Sequence, residues 1–182
     1  MNSLTDRSLR TLRTTIDRLE SFYGTVPILE KTWHDDATGY EAIVDRFERG
    51  CVGGAGVWVR NDDGEILLAR ETDRTGWGDP GGKREPGETF EETACREVRE
   101  ETGVECTITD LLEIHAVEHR HEAGAGEPIH SPIVIFDGEY VDGTVCPREG
   151  EIAAVEWFAE PPATLLYEEV GMRPYPATET SR

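Results

Sequence analysis

The segment that decides the fold reads Gly82-Lys-Arg-Glu-Pro-Gly-Glu-Thr-Phe-Glu-Glu-Thr-Ala-Cys-Arg-Glu-Val-Arg-Glu-Glu-Thr-Gly-Val104. Its first part is a loop rich in glycine and proline, and its second part predicts a helix from Thr89 to Thr102. Thr89 and Glu92 have the spacing of a capping box, in which each side chain bonds the other residue's backbone N–H. Gly103 supplies the stop signal, because glycine commonly follows the end of a helix.

The predicted helix carries carboxylates on its apolar side. At about 100° per residue, Phe90, Ala94, Glu97 and Glu101 fall on one stripe of the helix. Both glutamates also lie near the helix C-terminus, where the macrodipole disfavours anions. Buried carboxylates are costly unless they are protonated, paired or bound to a cation, and oxygen-liganded divalent cations satisfy them. A solvated acidic helix is the competing interpretation, since the whole chain is acidic.

The fixed residues of this segment match a known signature. Gly82 is followed after five residues by Glu88, and after seven more by Arg96-Glu97-Val98-Arg99-Glu100-Glu101-Thr102-Gly103-Val104. The pattern resembles that of the Nudix (MutT-like) hydrolases, G-x5-E-x7-R-E-U-x-E-E-x-G-U with U aliphatic, at every fixed position. The preceding stretch from Trp77 to Gly82 keeps the W-x-x-P-G-G spacing common in the family. Asp79 stands where an apolar residue is expected, which leaves the packing around it open.

The resemblance covers about 110 residues, from Cys51 to about Glu160. It implies an α/β fold, with a mixed β-sheet sandwiched between helices. It also implies a pyrophosphohydrolase that uses Mg²⁺ or Mn²⁺ and cleaves a nucleoside diphosphate linked to another group.

The resemblance further implies roles for individual residues. The metal ligands on the helix would be Glu97, Glu100 and Glu101. Glu97 is also the first candidate for the group that aligns or deprotonates the attacking water, with a loop glutamate as the alternative. Gly82 would offer its backbone carbonyl to the site, and either Glu149 or Glu151 would be a further ligand. Glu88 would support the metal site, and Arg96 would orient the acidic residues by ion pairing.

The composition narrows the class of partner. The chain has 182 residues and a net charge of -20, from 38 acidic and 18 basic residues. So negative a surface repels nucleic-acid backbones and anionic membranes, and the expected partner is a small nucleotide. Only Lys31 and Lys83 are lysines. An acid-rich, lysine-poor chain is typical of salt-loving organisms, in which molar salt screens self-repulsion, and an ordinary acidic cytosolic protein is the alternative.

Cysteines and hydropathy predict the compartment. The four cysteines are scattered without a C-x-x-C pair, which disfavours a zinc site or a disulfide framework and fits a reducing cytoplasm. The first residues lack the apolar region of a signal peptide, and no apolar run is long enough to span a membrane. We predict a cytoplasmic protein without a membrane partner.

The chain divides into three predicted parts. Residues 1–50 form an N-terminal helical extension, with amphipathic helices at 4–23 and around 40–47. The sequence leaves open whether this extension packs on the same chain, closes a homodimer or covers the active site. Residues 51–160 form the Nudix domain, and residues 161–182 form a short helix at 163–170 and a tail.

Within the central part, two apolar runs around Asp63-Gly64 predict a β-hairpin. Further strands are predicted at 105–118, 133–136 with a continuation to 140–141, and 152–158. The polar stretch 119–130 predicts a loop. Its neighbourhood contains four histidines that suggest a transition-metal site or a contact with substrate: His115, His119, His121 and His130.

The substrate and one alternative function stay open at this stage. Residues 118–121 lack the proline typical of ADP-ribose hydrolases and the tyrosine typical of dinucleoside polyphosphate hydrolases. Nucleoside triphosphates and ADP-ribose-like molecules are therefore comparable candidates. A non-catalytic nucleotide-binding sensor with the same fold is the alternative, although such sensors usually lose glutamates that this chain retains.

Overall fold

A computed structural model describes residues 3–176 of the chain. Helices and strands alternate irregularly along it, with two helices and one strand before the Gly-rich region. In chain order the elements are α1 (Leu4–Tyr23), β1 (Ile28–Asp35), α2 (Ala37–Glu48), β2 (Gly54–Arg60), β3 (Ile66–Glu71), β4 (Gly81–Lys83), α3 (Phe90–Thr102), β5 (Val104–His121), β6 (Ile129–Gly143), β7 (Ile152–Phe158) and α4 (Glu169–Met172).

The strands form one mixed sheet in the order β1-β5-β6-β2-β3-β7, with β4 paired to β2. The β1–β5 pair is parallel, whereas β3 is antiparallel to both β2 and β7. The predicted fold class, a mixed sheet flanked by helices, is confirmed, as is the hairpin of β2 and β3. None of the helices among residues 3–176 combines the length and apolar character needed to cross a membrane.

The chain divides into two compact units, and each unit is formed by several separate stretches of the chain. The first comprises the chain up to Ala55 together with Lys83–Thr93 and Leu111–Ile135. In it, the side chain of Ser3 caps α1 and that of Asp36 caps α2, each accepting a bond from a backbone N–H three residues on. Buried Tyr40 and Phe47 of α2 pack with Val52 and Ile129.

The second unit comprises Gly56–Gly82, Ala94–Asp110 and the chain from Phe136. Its core contains the fully buried Trp58 and the apolar residues of β3. The backbone of β3 pairs with β7 from Ile66–Phe158 to Glu71–Ile152. This register brings the beginning of β7 beside the end of β3.

Helix α3 begins and ends close to the limits predicted from the sequence. Glu92 Oε2 accepts a bond from the Thr89 N–H at 2.8 Å, and Thr89 Oγ1 accepts one from the Glu92 N–H at 3.1 Å. The capping box is therefore present. Gly103 follows the helix with φ of +74°, a left-handed conformation that favours glycine.

Three of the sequence predictions are wrong. No strand was expected at β1, whose edge position exposes residues such as Trp33 and so hides the alternating pattern of a half-buried strand. The predicted loop at 119–130 is shorter, because β5 continues to His121 and β6 begins at Ile129. The predicted helix at 163–170 is replaced by irregular chain and the single turn of α4.

Backbone pairing explains why that last helix does not form. The Trp77 N–H donates to the Thr164 carbonyl at 3.1 Å, and the Leu166 N–H donates to the Trp77 carbonyl at 2.8 Å. Helical geometry would direct these groups along the segment itself instead. The chain from Thr164 to Leu166 is thus held against the loop that precedes β4. The predicted tail continues past residue 176, outside the described residues.

Candidate active site

Two buried glutamates of α3 lie against the backbone of β4. Glu97 and Glu101 are 9% and 7% exposed. Glu101 Oε2 accepts a bond from the Gly81 N–H at 3.0 Å. A Cβ atom added at Gly82 would lie 2.4 Å from Cδ of Glu97, so only glycine leaves room for the carboxylate there. The short strand therefore forms one wall of an acidic site.

Burial changes the proton affinity of both carboxyls. It raises the pKa of Glu97, against the lowering effect of the hydrogen bond and charge of Arg96. Burial also raises the pKa of Glu101 to about 8, against the lowering effect of the bond from the Gly81 N–H, and the charges of Glu97, Glu151 and Glu71 add to the rise. Two poorly solvated carboxylates thus lie close to further negative charges, which is the environment that a bound cation relieves.

Arg96 and Arg148 hold this acidic cluster. Nη1 of Arg96 lies 2.8 Å from Oε1 of Glu97 and 3.5 Å from Oε2 of Glu100. Nη1 of Arg148 lies 3.3 Å from the same Glu100 oxygen, and its Nε lies 3.1 Å from Oε2 of Glu151. Arg148 was missed by sequence reasoning, which considered only Glu149 and Glu151, the two glutamates that follow it.

The loop between β6 and β7 is fixed to the end of α3. The Arg148 N–H donates to the Glu101 carbonyl at 3.1 Å, and the Cys146 N–H donates to the Thr102 carbonyl at 2.8 Å. Of the two glutamates proposed from this loop, Glu151 raises the pKa of both Glu97 and Glu101 by charge repulsion. Glu149 is exposed. The structure therefore favours Glu151 as the carboxylate nearer the site.

Glu88 has a local role in the loop before α3. Its Oε2 accepts bonds from the Glu85 N–H at 2.9 Å and from the Thr93 hydroxyl at 2.8 Å. These bonds close the turn around Gly87 and precede the capping box. A carboxylate held in this way stabilises the entry to the helix.

The donor set suits a hard divalent cation, which prefers oxygen ligands. Every candidate ligand here is an oxygen atom. The candidates are the carbonyl of Gly82 and the carboxylates of Glu97, Glu100, Glu101 and Glu151. Within residues 3–176 no three acidic, histidine or cysteine side chains are arranged to hold an ion together. The contacts give the physical reason, because Arg96, Arg148 and the Gly81 N–H already bind these carboxylates.

We expect the Gly82→Ala change to weaken metal binding with little effect on stability. The new methyl group would displace the Glu97 carboxyl, the end of a flexible side chain, and not the backbone. Misplacing a ligand or its support typically costs about 10–100-fold in metal affinity. Mn²⁺ titration calorimetry and thermal melting test this, with Gly39→Ala as a control whose added Cβ makes only ordinary contacts. Unchanged Mn²⁺ affinity would contradict the assignment.

We expect the metal-free protein to lose stability as the pH rises from about 4.5 to about 8. The pKa of Glu101 is about 8 in the folded protein against an ordinary value of 4.5, so the folded state binds more protons than the unfolded state in this range. The free energy of unfolding then falls by up to about 1.4 kcal/mol per pH unit from this group. Urea unfolding in EDTA measures it, and Glu101→Gln should flatten the slope. Equal slopes in the two proteins would refute the assignment.

Asp79, the departure from the apolar pattern, is buried in an ionic cluster. Oδ1 of Asp79 lies 2.5 Å from Nη1 of Arg173, and the Tyr167 hydroxyl donates to the same oxygen. Side chains of Asp79 and Arg173 are only 4% and 3% exposed. Burial raises the pKa of Tyr167 well above its ordinary value, which keeps it a neutral donor. No local pattern pairs residues so distant in the chain, so this cluster could not be predicted from the sequence.

The histidines do not assemble into one site within the described residues. His115 Nε2 lies 2.8 Å from Oε1 of Glu113. The buried His119 lies between Asp35 Oδ2 and Ser131 Oγ, at 2.9 Å from each. His121 instead packs against the ring of Tyr40. Nε2 of His130 lies 3.8 Å from Oε2 of Glu118. Each of the four histidines therefore has a partner of its own.

Comparison with known proteins places this site in a family. A putative 8-oxo-dGTP diphosphatase of Bacillus subtilis is 40% identical over 62 residues, covering 34% of this chain and 42% of the relative. The NAD-capped RNA hydrolase NudC of Stutzerimonas stutzeri is 38% identical over 74 residues, covering 41% and 24%. The crystal structure of a MutT Nudix hydrolase from Burkholderia pseudomallei superposes with a TM-score of 0.51 at 29% identity, covering 64% of this chain and 90% of that one.

The matched segments span well under half the length of the first curated relatives, from 18% to 42%. The model of the NUDIX domain, in contrast, matches residues 52–178, which is more than half of this chain. That range contains α3, β4 and the loop before β7, the three elements that build the acidic site. The chain belongs to the Nudix hydrolase family.

Proposed function

We propose that this protein hydrolyses the pyrophosphate linkage of a nucleoside diphosphate joined to another group, with Mg²⁺ or Mn²⁺ bound at the acidic site. The observation that carries the proposal is the burial of Glu97 and Glu101 against Gly81 and Gly82. A structural helix gains nothing from two buried carboxylates near its C-terminus. A cation-dependent hydrolase requires them.

In this proposal Glu97, Glu100 and Glu101 hold the metal, with the Gly82 carbonyl and Glu151 completing the site. The bound cation would polarise the phosphoryl group and acidify a water molecule. Glu97 would accept the proton of that water, because its carboxylate lies at the site where the cation would hold the water. Arg96 would keep the Glu97 and Glu100 carboxylates oriented, and Glu88 would order the loop that leads into the helix.

A small nucleotide is the proposed substrate class. The net charge of -20 opposes the approach of a long polyanion, whereas the few phosphates of a nucleotide can be held through bound cations. One of the relatives acts on NAD-capped RNA, so RNA ends belong among the test substrates. Nucleoside triphosphates and ADP-ribose-like molecules are the two classes that we propose first.

The test is a panel of nucleoside triphosphates, ADP-ribose, NADH, dinucleoside polyphosphates and NAD-capped RNA, assayed with Mg²⁺ and with Mn²⁺ in high KCl. We expect release of phosphate, pyrophosphate or a nucleoside monophosphate that EDTA abolishes. Nucleotide binding without turnover across the panel would support a sensor instead. Preference for the capped RNA over every free nucleotide would overturn the proposed substrate class.

We also propose that the protein works in a salt-rich cytoplasm. The chain has 38 acidic and 18 basic residues, so its acidic side chains repel one another. At molar salt the Debye length falls to about 3 Å, which screens this repulsion. The melting temperature should therefore rise substantially between 0.1 M and 2 M KCl. A melting temperature that does not change with KCl would reject the halophilic adaptation.

A further inference from the structure

Arg148 is a cation at the acidic site to which the family pattern gives no role. Its guanidinium joins Glu100 of α3 to Glu151 of the β6–β7 loop, at 3.3 Å and 3.1 Å. Both carboxylates belong to the proposed metal site. The side chain therefore occupies the position of a counter-ion to two of the groups that a divalent cation would need.

The backbone of Arg148 is held by hydrogen bonds, whereas its side chain is held by ion pairs. Its N–H donates to the Glu101 carbonyl at 3.1 Å, and its own carbonyl accepts from the Ile152 N–H at 2.9 Å. The side chain is 47% exposed. Ion pairs between exposed groups contribute little to stability. The guanidinium can consequently leave its partners without any change in the loop.

Glu100 is the group over which a cation and arginine compete. Its Oε2 atom lies within 3.5 Å of Arg96 and 3.3 Å of Arg148. Arg96 is less exposed, at 22%, and also binds the buried Glu97. Arg148 is therefore the easier of the two to displace. Once displaced, its guanidinium would be beside the site with its positive charge unpaired, in the geometry that binds phosphate oxygens well.

We propose that Arg148 is a resident counter-ion that releases Glu100 and Glu151 when metal binds and then contacts the phosphates of the substrate. This inference rests on the proposed function, because it assumes that the acidic site binds metal and a polyphosphate. It assigns Arg148 two opposite effects, competition with the metal and attraction of the nucleotide.

The test measures the two effects separately in Arg148→Gln. Mn²⁺ affinity without nucleotide is determined by electron paramagnetic resonance of the free ion, and KM and kcat are determined for the best substrate of the panel. We expect tighter Mn²⁺ binding, by about threefold or more, because a competing charge is gone. We expect KM to rise by about tenfold or more, because a charge-assisted contact to phosphate is lost.

Arg99→Gln is the matched control. It makes the same change of charge on α3, but Arg99 is 72% exposed and lies near Glu105 instead of the acidic site. Neither Mn²⁺ affinity nor KM should change there. Arg148→Lys should recover part of the lost substrate affinity, because it restores the charge without the planar fork.

Unchanged or weaker Mn²⁺ binding in Arg148→Gln would overturn the proposal, since Arg148 would then not compete with the metal. An unchanged KM would overturn it as well. If the unaltered protein hydrolyses nothing on the panel, the proposed function fails, and the Mn²⁺ titration alone still decides whether Arg148 competes with metal.

Discussion

Glu97→Gln and Glu100→Gln are each expected to lower kcat on the order of 10³-fold, since a metal site supplies several kcal/mol of transition-state stabilisation and each 1.36 kcal/mol is a factor of ten. An amide retains the shape of the carboxyl but lacks the negative charge that holds a divalent cation. The fold should survive, because burial already disfavours the charged form of Glu97. Steady-state kinetics with Mg²⁺ and melting in EDTA measure the two properties.

Glu105→Gln is the matched control for this pair. Glu105 is 56% exposed and pairs only loosely with Arg99, at 3.8 Å. It undergoes the same chemical change outside the acidic site, so its activity should equal that of the unaltered protein. Near-normal turnover in Glu97→Gln or in Glu100→Gln would contradict the assignment of that residue as a ligand.

Local signals in the sequence were sufficient to predict helix α3 and its two ends. The capping pair of Thr89 and Glu92 and the glycine at 103 fixed its limits to within one residue, because caps act over a single turn. The helical stripe also predicted the burial of Glu97 and Glu101, since it depends only on periodicity. Both inferences use residues that are neighbours in the chain.

Partners that are distant in the chain could not be predicted in this way. Strand β1 pairs with β5 through backbone bonds, and its own side chains are too exposed to reveal a pattern. Arg148 reaches Glu100 across 48 residues. Of the many arginines in the chain, the sequence cannot say which one meets a given carboxylate, because that choice is made by tertiary packing.

Arg173→Met is expected to destabilise the protein by about 3–5 kcal/mol, since removing one partner of a buried ion pair leaves the other charge uncompensated. The carboxylate of Asp79 would keep the hydrogen bond from the Tyr167 hydroxyl but lose its cation, at a position 4% exposed. The guanidinium also covers the ring of Trp58 at 5.0 Å. Methionine retains part of this packing, so the measured decrease in the free energy of unfolding reports mainly the loss of the Arg173 charge.

Asp79→Leu combined with Arg173→Met should recover most of that loss, because a well-packed apolar pair often replaces a buried ion pair at no cost in stability. The double variant also restores the apolar residue that the family pattern favours at position 79. Urea unfolding in 2 M KCl, followed by tryptophan fluorescence, compares both variants with Arg99→Met, an exposed control expected to stay within about 0.5 kcal/mol. If the double variant is no more stable than Arg173→Met, then Arg173 acts through its contacts with Trp58 and Tyr167, and the charge of Asp79 is not what requires it.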